Sequence, residues 1–198
     1  STLQKETTNK QFNKKIVLVV GELSGEMHAL NLVKELNNST EVELSGIGSD
    51  RLKESGVHII YDYKHISLTG LSEIFSKLHH VYQAYHALKR HLLSLNPSLL
   101  ILIDFPGFNL RVARLAKEHG IPVIYFIPPQ VWAWRKNRIK KLKDYIDRVL
   151  CILPFETELY AQYGIDALYV GHPFMTTVKP AFSRKDFLRK VGIEEGIP

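Results

Sequence analysis

Short apolar runs alternate with helical segments along almost the whole chain, and this alternation constrains the fold more than any other sequence feature. Most of the runs are continuously apolar and rich in β-branched residues, as strands covered on both faces are. Seven of them are candidate strands: KIVLVV (15–20), EVELSGI (41–47), VHIIYDY (57–63), SLLILIDF (98–105), IPVIYFI (121–127), RVLCIL (148–153) and ALYVG (167–171). The helical segments between them cover residues 27–38, 49–56, 72–96, 110–120, 135–146 and 155–164. This order predicts an α/β fold with a doubly wound, mainly parallel, Rossmann-like sheet of about seven strands.

The same pattern divides the chain of 198 residues into three parts. We expect a disordered polar tail over residues 1–14 and a folded domain over 15–178. Residues 179–198 read as a connector with a short helix, leading toward a further domain. No apolar run approaches the roughly 18 residues of a membrane span. Because the chain has a single cysteine and its first residues lack the apolar core of a signal peptide, the cytoplasm is the expected compartment.

The charge of the chain favours anionic partners. Lys and Arg total 26 and Asp and Glu total 20, giving a formal charge of +6. Phosphorylated substrates, anionic lipids and nucleic acids would all suit this charge, which does not choose among them. The nine histidines show no metal-ligand spacing, so no metal site is expected.

Ligands of doubly wound sheets bind beyond the carboxyl ends of the strands, where the turn GELSGE follows the first strand. The turn has neither the Lys of a P-loop nor the spacing of a dinucleotide fingerprint, so a tight nucleotide site is not expected. Gly21 can take a positive φ, and Gly25 allows another group to approach the backbone. Ser24 and Glu26 suit an N-cap and a first helical turn. Glu22 faces the crevice and is the better candidate for a ligand contact.

A second candidate lies where the apolar run LLILI ends at Asp104. A carboxylate at the mouth of an apolar strand is partly desolvated and accepts protons more readily near neutral pH. Asn109, one turn later, is a candidate cap or hydrogen-bond donor to a substrate. The alternative for Asp104 is a capping role in the loop.

A third candidate is the segment IPPQVWAWRKNRIKKLK. Trp132 and Trp134 suit a platform for a sugar ring or an acyl chain, although core packing is equally consistent. Arg135 opens a basic run that suits phosphate or lipid headgroups, and its alternative is a solvated helix face. His172, after the last strand, could serve the same crevice.

The long helical segment places apolar residues at alternating steps of three and four from Leu71 to Leu95. We expect most of this stripe to pack on the sheet. Its start is the candidate membrane contact, through Leu68, Leu71, Ile74 and Phe75.

Taken together, these segments make the chain resemble the N-terminal half of lipid-A-disaccharide synthases. The resemblance runs from about Ile16 to Pro173 and is carried by GELSGE, GIGSDRLKESGV, LTGLSEI, IDFPGFN, PPQVWAWR, LPFE and YVGHP. The family consists of two-domain glycosyltransferases of the GT-B type. Two positions depart from its pattern, with Glu26 where Asp is usual and Gly107 where an acidic residue is frequent.

The resemblance implies inverting transfer of 2,3-diacylglucosamine from its UDP-activated form to 2,3-diacylglucosamine 1-phosphate, with release of UDP, in lipid A biosynthesis. It makes Asp104 the candidate catalytic base. The candidate substrate-binding residues are Gly21, Glu22, Ser24, Gly25, Phe108, Asn109, Gln130, Trp132, Trp134, Arg135 and His172. No cofactor is implied, because the UDP-sugar is a substrate. The donor would bind mostly to a C-terminal domain that is absent from this sequence, so the chain alone is expected to be inactive.

The implied location is the cytoplasmic face of the inner membrane of a Gram-negative bacterium, on its anionic surface. The resemblance does not decide whether the protein forms a homodimer. Two alternatives come from other classes of protein: a stand-alone Rossmann-like binding module and a basic nucleic-acid binder. The absence of a phosphate loop opposes a nucleotide-binding module, and no nucleic-acid partner is expected.

Overall fold

A computed structural model describes residues 14–39, 41–67, 74–128 and 136–171, with the backbone alone described at residues 67, 74–77 and 136–138. The strands are β1 Lys14–Val20, β2 Val42–Gly48, β3 His58–Asp62, β4 Leu99–Ile103, β5 Val123–Phe126, β6 Arg148–Cys151 and β7 Ala167–Tyr169. The helices are α1 Leu23–Ser39, α2 Asp50–Glu54, α3 Lys64–Ser67, α4 Ile74–Leu95, α5 Pro106–Glu118, α6 Lys136–Tyr145 and α7 Pro154–Gln162. Residues 1–13 of the predicted tail and the predicted connector over 179–198 lie outside the described residues, whereas Lys14, assigned to the tail, is the first residue of β1.

The seven strands form one sheet in the order β3-β2-β1-β4-β5-β6-β7, and all six pairings are parallel. All five residues of β4 and the last five of β1 are buried, as expected for central strands with helices on both faces. The chain first builds outward from β1 to β3 and then crosses to β4 on the other side of β1. The fold class and the seven strands predicted from the sequence are confirmed.

Two helices begin well before their predicted starts, and one short helix was not predicted. The helix α1 begins at Leu23 and α5 at Pro106, four residues earlier than expected in each case. A proline is well suited to the first turn of α5, because its fixed φ is helical and its missing N–H would have no partner there. The short α3 was not predicted, since four residues are too few to show a helical period.

The helix α4 packs on the sheet along most of its apolar stripe. Leu88 and Leu92 are fully buried, whereas Leu78, near the start, is 61% exposed. The stripe therefore leaves the core toward the beginning of the helix. In the described part of the chain, no helix combines the length and apolar character that a membrane span requires.

The contact between β1 and β2 depends on Gly46. Its φ is +145°, and a Cβ added there would lie 1.8 Å from the carbonyl oxygen of Leu18. The pairing of β2 with β3 shifts register at the next residue, Ile47. A side chain at position 46 would therefore collide with the backbone of the central strand.

We predict that Gly46→Ala lowers the free energy of unfolding by about 3 kcal/mol or more, through backbone strain and the collision with β1. Gly120→Ala is the matched control, because Gly120 also has a positive φ, of +68°, but has nothing within 4 Å of its added Cβ. The control should lose about 1 kcal/mol, from its backbone conformation alone. Urea unfolding measures both, and equal losses would contradict the role assigned to the β1–β2 contact.

Candidate functional site

The turns after β1 and β4 meet at the topological switch point, where the chain stops adding strands on one side of β1 and begins adding them on the other. The Ser24 hydroxyl donates a hydrogen bond to Asp104 Oδ2 at 3.3 Å, although the two residues lie 80 positions apart. Ser24 is exposed and Asp104 is half-buried, so the pair borders solvent. The crevice beyond such a change of direction is where doubly wound sheets bind ligands.

The backbone of the β4 turn is strained. Asp104 and Phe105 have φ values of +53° and +47°, the left-handed conformation in two successive residues that are not glycine. Each such residue costs roughly 1–2 kcal/mol, with Asp tolerating it better than Phe. The Phe105 N–H donates to Asp104 Oδ1 at 2.9 Å. Both carboxylate oxygens of Asp104 therefore accept one hydrogen bond from the protein, and each retains a lone pair for a further partner.

Two buried side chains bind the main-chain carbonyl of Asp104. Asn109 Nδ2 donates to this oxygen at 2.7 Å and to the carbonyl of Ile103 at 3.3 Å. The Tyr125 hydroxyl, from β5, donates to the Asp104 carbonyl at 2.6 Å. Burial, with the charge of Asp104 as the second cause, raises the pKa of Tyr125 well above its ordinary value, so the phenol stays protonated.

Tyr125 was not among the predicted site residues, because a tyrosine within an apolar strand is typical of an ordinary core position. The available signal was its hydroxyl, since a buried tyrosine generally needs a hydrogen-bond partner. Asn109 is fully buried and holds the turn from the protein side. Its predicted contact with a substrate stays a prediction.

Gly21 leaves room for an aromatic ring. Three atoms of Phe105 would lie 2.3–2.6 Å from a Cβ at Gly21, and the φ of Gly21 is not positive. The expectation of a positive φ is therefore wrong, and space is the reason for this glycine. The Phe105 ring stacks on Phe108 with centroids 5.4 Å apart. Phe108 is itself buried, and its predicted substrate contact stays a prediction.

Gly25 marks the close approach of α1 to the end of β4. A Cβ there would lie 3.3 Å from Ile103 Cγ2 and 3.4 Å from Asp104 Cβ. Because α1 begins at Leu23, Ser24 lies inside the first turn and the N-cap interpretation is wrong. Its hydroxyl points across to the carboxylate of Asp104 instead. Glu22 precedes the helix and is exposed at the same edge of the sheet.

Glu26 lies in the first turn of α1, as predicted, but its carboxylate is buried and has partners from other elements. It accepts hydrogen bonds from the hydroxyls of Ser49 and Tyr63, the latter at 3.2 Å. Burial and then the neighbouring Glu26 carboxylate raise the pKa of Tyr63 to about 12. Glu26 thus fixes the start of α1, and with it Ser24, against the end of β2.

Nine of the residues predicted from the sequence fall in other parts of the chain. Their positions or side chains lie outside the part of the chain that the structure describes: Leu68, Leu71, Ile74, Phe75, Gln130, Trp132, Trp134, Arg135 and His172. Within the described residues, no group of three His, Cys, Asp or Glu side chains could hold a metal ion.

The matching family model and the curated relatives name the same family. A family model described as lipid-A-disaccharide synthetase matches residues 16–197. The chain is 44% identical to lipid-A-disaccharide synthase of Syntrophus aciditrophicus, covering 93% of this chain and 49% of that protein. It is 40% identical to the synthase of Geobacter metallireducens, covering 92% and 48%. The chain therefore spans about half the length of the curated relatives it matches.

Solved structures show the likeness of fold alone. UDP-GlcNAc 2-epimerase from Neisseria meningitidis, bound to UDP-GlcNAc, superposes with a TM-score of 0.57 at 11% identity, over 79% of this chain and 46% of the epimerase. UGT73P12 of Glycyrrhiza uralensis, complexed with glycyrrhetinic acid 3-O-monoglucuronide, gives 0.53 at 11% identity, over 80% and 48%. Both support the Rossmann-like domain assignment.

We predict that Gly21→Ala destabilises the protein by about 1–3 kcal/mol, because the new methyl group must displace the Phe105 ring. Adding Phe105→Ala should restore part of that loss, so the double-mutant cycle should give a coupling of about 0.5–3 kcal/mol. Gly107→Ala is the control, since nothing lies within 4 Å of its added Cβ. Additive effects of the two changes at 21 and 105 in urea unfolding would contradict the packing of the two turns.

Proposed function

The chain belongs to the lipid-A-disaccharide synthetase family, and we propose that it forms the acceptor-binding half of a glycosyltransferase. The complete enzyme would transfer 2,3-diacylglucosamine from its UDP-activated form to 2,3-diacylglucosamine 1-phosphate and release UDP. The donor would bind mostly to a second domain, so this half alone would be inactive. No cofactor takes part, because the UDP-sugar is itself a substrate.

The observation that carries this proposal is the position of Asp104. Its carboxylate borders the crevice at the topological switch point between β1 and β4. The Phe105 N–H and the Ser24 hydroxyl orient its two oxygens. A general base must lie within hydrogen-bond reach of the proton it removes. An acceptor hydroxyl bound in the crevice would donate its hydrogen bond to a remaining lone pair of this carboxylate.

The reaction follows from that placement. The acceptor hydroxyl oxygen attacks the anomeric carbon of the donor sugar as its proton passes to Asp104. The bond between that carbon and the β-phosphate oxygen breaks, and its electron pair leaves with UDP. Attack from the face opposite the leaving group inverts the configuration. Glu22 would hold sugar hydroxyls, and Ser24 would keep Asp104 oriented.

The remaining contacts are assigned from the sequence. Trp132 and Trp134 would line the acceptor site, and Arg135 would pair with the acceptor phosphate through its guanidinium. Gln130 and His172 would complete the cleft. Gly21 and Gly25 contribute by letting the two turns approach each other.

We also propose that the protein acts on the cytoplasmic face of the inner membrane of a Gram-negative bacterium. Both substrates carry acyl chains, and the start of α4 offers apolar surface. Leu78 and Tyr82 lie one turn apart and are 61% and 63% exposed. The exposed lysines of α6, Lys140, Lys141 and Lys143, would add attraction to anionic lipids.

In the complete enzyme, Asp104→Ala should lower kcat about 10²- to 10⁴-fold, which corresponds to about 3 to 5 kcal/mol of transition-state stabilisation. The loss follows from removing the proton acceptor, and a steady-state assay of UDP release measures it. Asp144→Ala is the control, because Asp144 is an exposed aspartate on α6. Near-normal turnover of Asp104→Ala would exclude Asp104 as the base.

Replacing Leu78 and Tyr82 together by serine should reduce flotation with vesicles that contain anionic lipid, because the double variant removes apolar surface from the start of α4. Leu93→Ser is the control, since Leu93 is 45% exposed near the other end of the same helix. Unchanged flotation of the double variant would remove this surface from the proposed membrane contact.

A further inference from the structure

The two donors to the Asp104 carbonyl come from different elements and neither reaches the carboxylate. Asn109 Nδ2 lies 2.7 Å from the carbonyl oxygen and belongs to α5, which starts two residues after Asp104. The Tyr125 hydroxyl lies 2.6 Å from the same oxygen and belongs to the neighbouring strand β5. Buried side chains therefore hold the carbonyl from the protein interior, while the carboxylate lies at the crevice.

Tyr125 is a rigid donor. Tyr125 is fully buried. Within the sheet, its backbone pairs with Leu102 of β4 on one side and with Val149 of β6 on the other. Its hydroxyl is thus fixed relative to the end of β4 by the sheet itself. Asn109 is also fully buried, and its second bond, to the Ile103 carbonyl, ties it to the last residue of β4.

These donors oppose the strain of the turn. The backbone strain of two successive left-handed residues would relax if the peptide between Asp104 and Phe105 were free to rotate. Rotation would take the carbonyl away from Tyr125 and Asn109 and bury it without these partners, which is unfavourable. The same rotation would carry the Phe105 N–H, which shares a peptide plane with this carbonyl, away from Asp104 Oδ1 and release the carboxylate from its backbone donor. The buried hydrogen bonds therefore determine where the carboxylate points.

We propose that Tyr125, with Asn109, is a positioning residue for the base at position 104: its hydroxyl fixes the left-handed turn that aims the Asp104 carboxylate at the acceptor. This inference rests on the proposed function. Tyr125 touches no substrate in this account and acts only through the main chain of Asp104. Loss of its hydroxyl should therefore reduce the rate of the chemical step and leave acceptor affinity largely unchanged.

The test compares two isosteric changes in the complete enzyme, Tyr125→Phe and Tyr160→Phe. Tyr160 is a matched control, because it is also fully buried, on α7, and its hydroxyl has no hydrogen-bond partner among the described residues. For Tyr125→Phe we expect kcat to fall about 10- to 100-fold, as small misplacements of reacting groups do. The KM for 2,3-diacylglucosamine 1-phosphate should stay within about twofold of the parent value. Tyr160→Phe should change neither constant.

A crystal structure of the Tyr125→Phe enzyme provides a second readout that needs no activity. We expect a different Phe105 φ and loss of the hydrogen bond from the Phe105 N–H to Asp104 Oδ1. Unchanged kcat in Tyr125→Phe, or an equal loss in Tyr160→Phe, would overturn the positioning role. If the parent enzyme transfers no acylated sugar, the proposed function fails, and an unaltered Asp104 turn in the variant structure would then overturn the positioning role separately.

Discussion

The parallel pairing of β1 with β4 brings the two candidate turns together. Residues 16–20 pair in register with residues 99–103, so both strands end at the same level of the sheet. The turn that follows β1 then lies against the turn that follows β4, and Ser24 reaches Asp104. Gly21 and Gly25 allow this approach, the first for the Phe105 ring and the second for the end of β4. The Ser24–Asp104 hydrogen bond and the fit of Phe105 against Gly21 both depend on this register.

The fold could be read from the sequence because its main signal is local. The central strands β1 and β4 contain continuous apolar runs, and the helices other than the short α2 and α3 are long enough to show their own period. The first residues of two helices were harder to predict. Leu23 and Pro106 begin helices inside segments rich in Gly, Ser and Pro, where the local residue preferences favour a turn and packing against the sheet decides.

The candidate site could be predicted only in part. Asp104 and Ser24 were identified because polar residues directly after apolar strands stand out, and the topology of a doubly wound sheet brings such positions together. Tyr125 and the buried partners of Glu26 were not, since a tyrosine or a serine in a strand region carries no sign of the distant group it will bind. The left-handed conformation of Asp104 and Phe105 was likewise hidden, because it is held in part by the Tyr125 hydroxyl of the neighbouring strand.

The central claim is that an acceptor hydroxyl lies on the Asp104 carboxylate at the junction of β1 and β4. A crystal structure of the complete protein with 2,3-diacylglucosamine 1-phosphate tests it most directly. The account predicts that the attacking sugar hydroxyl lies about 2.6–3.2 Å from an Asp104 carboxylate oxygen, within reach of Glu22 and next to Ser24. A sugar bound at another edge of the sheet, with Asp104 facing only solvent, would contradict it.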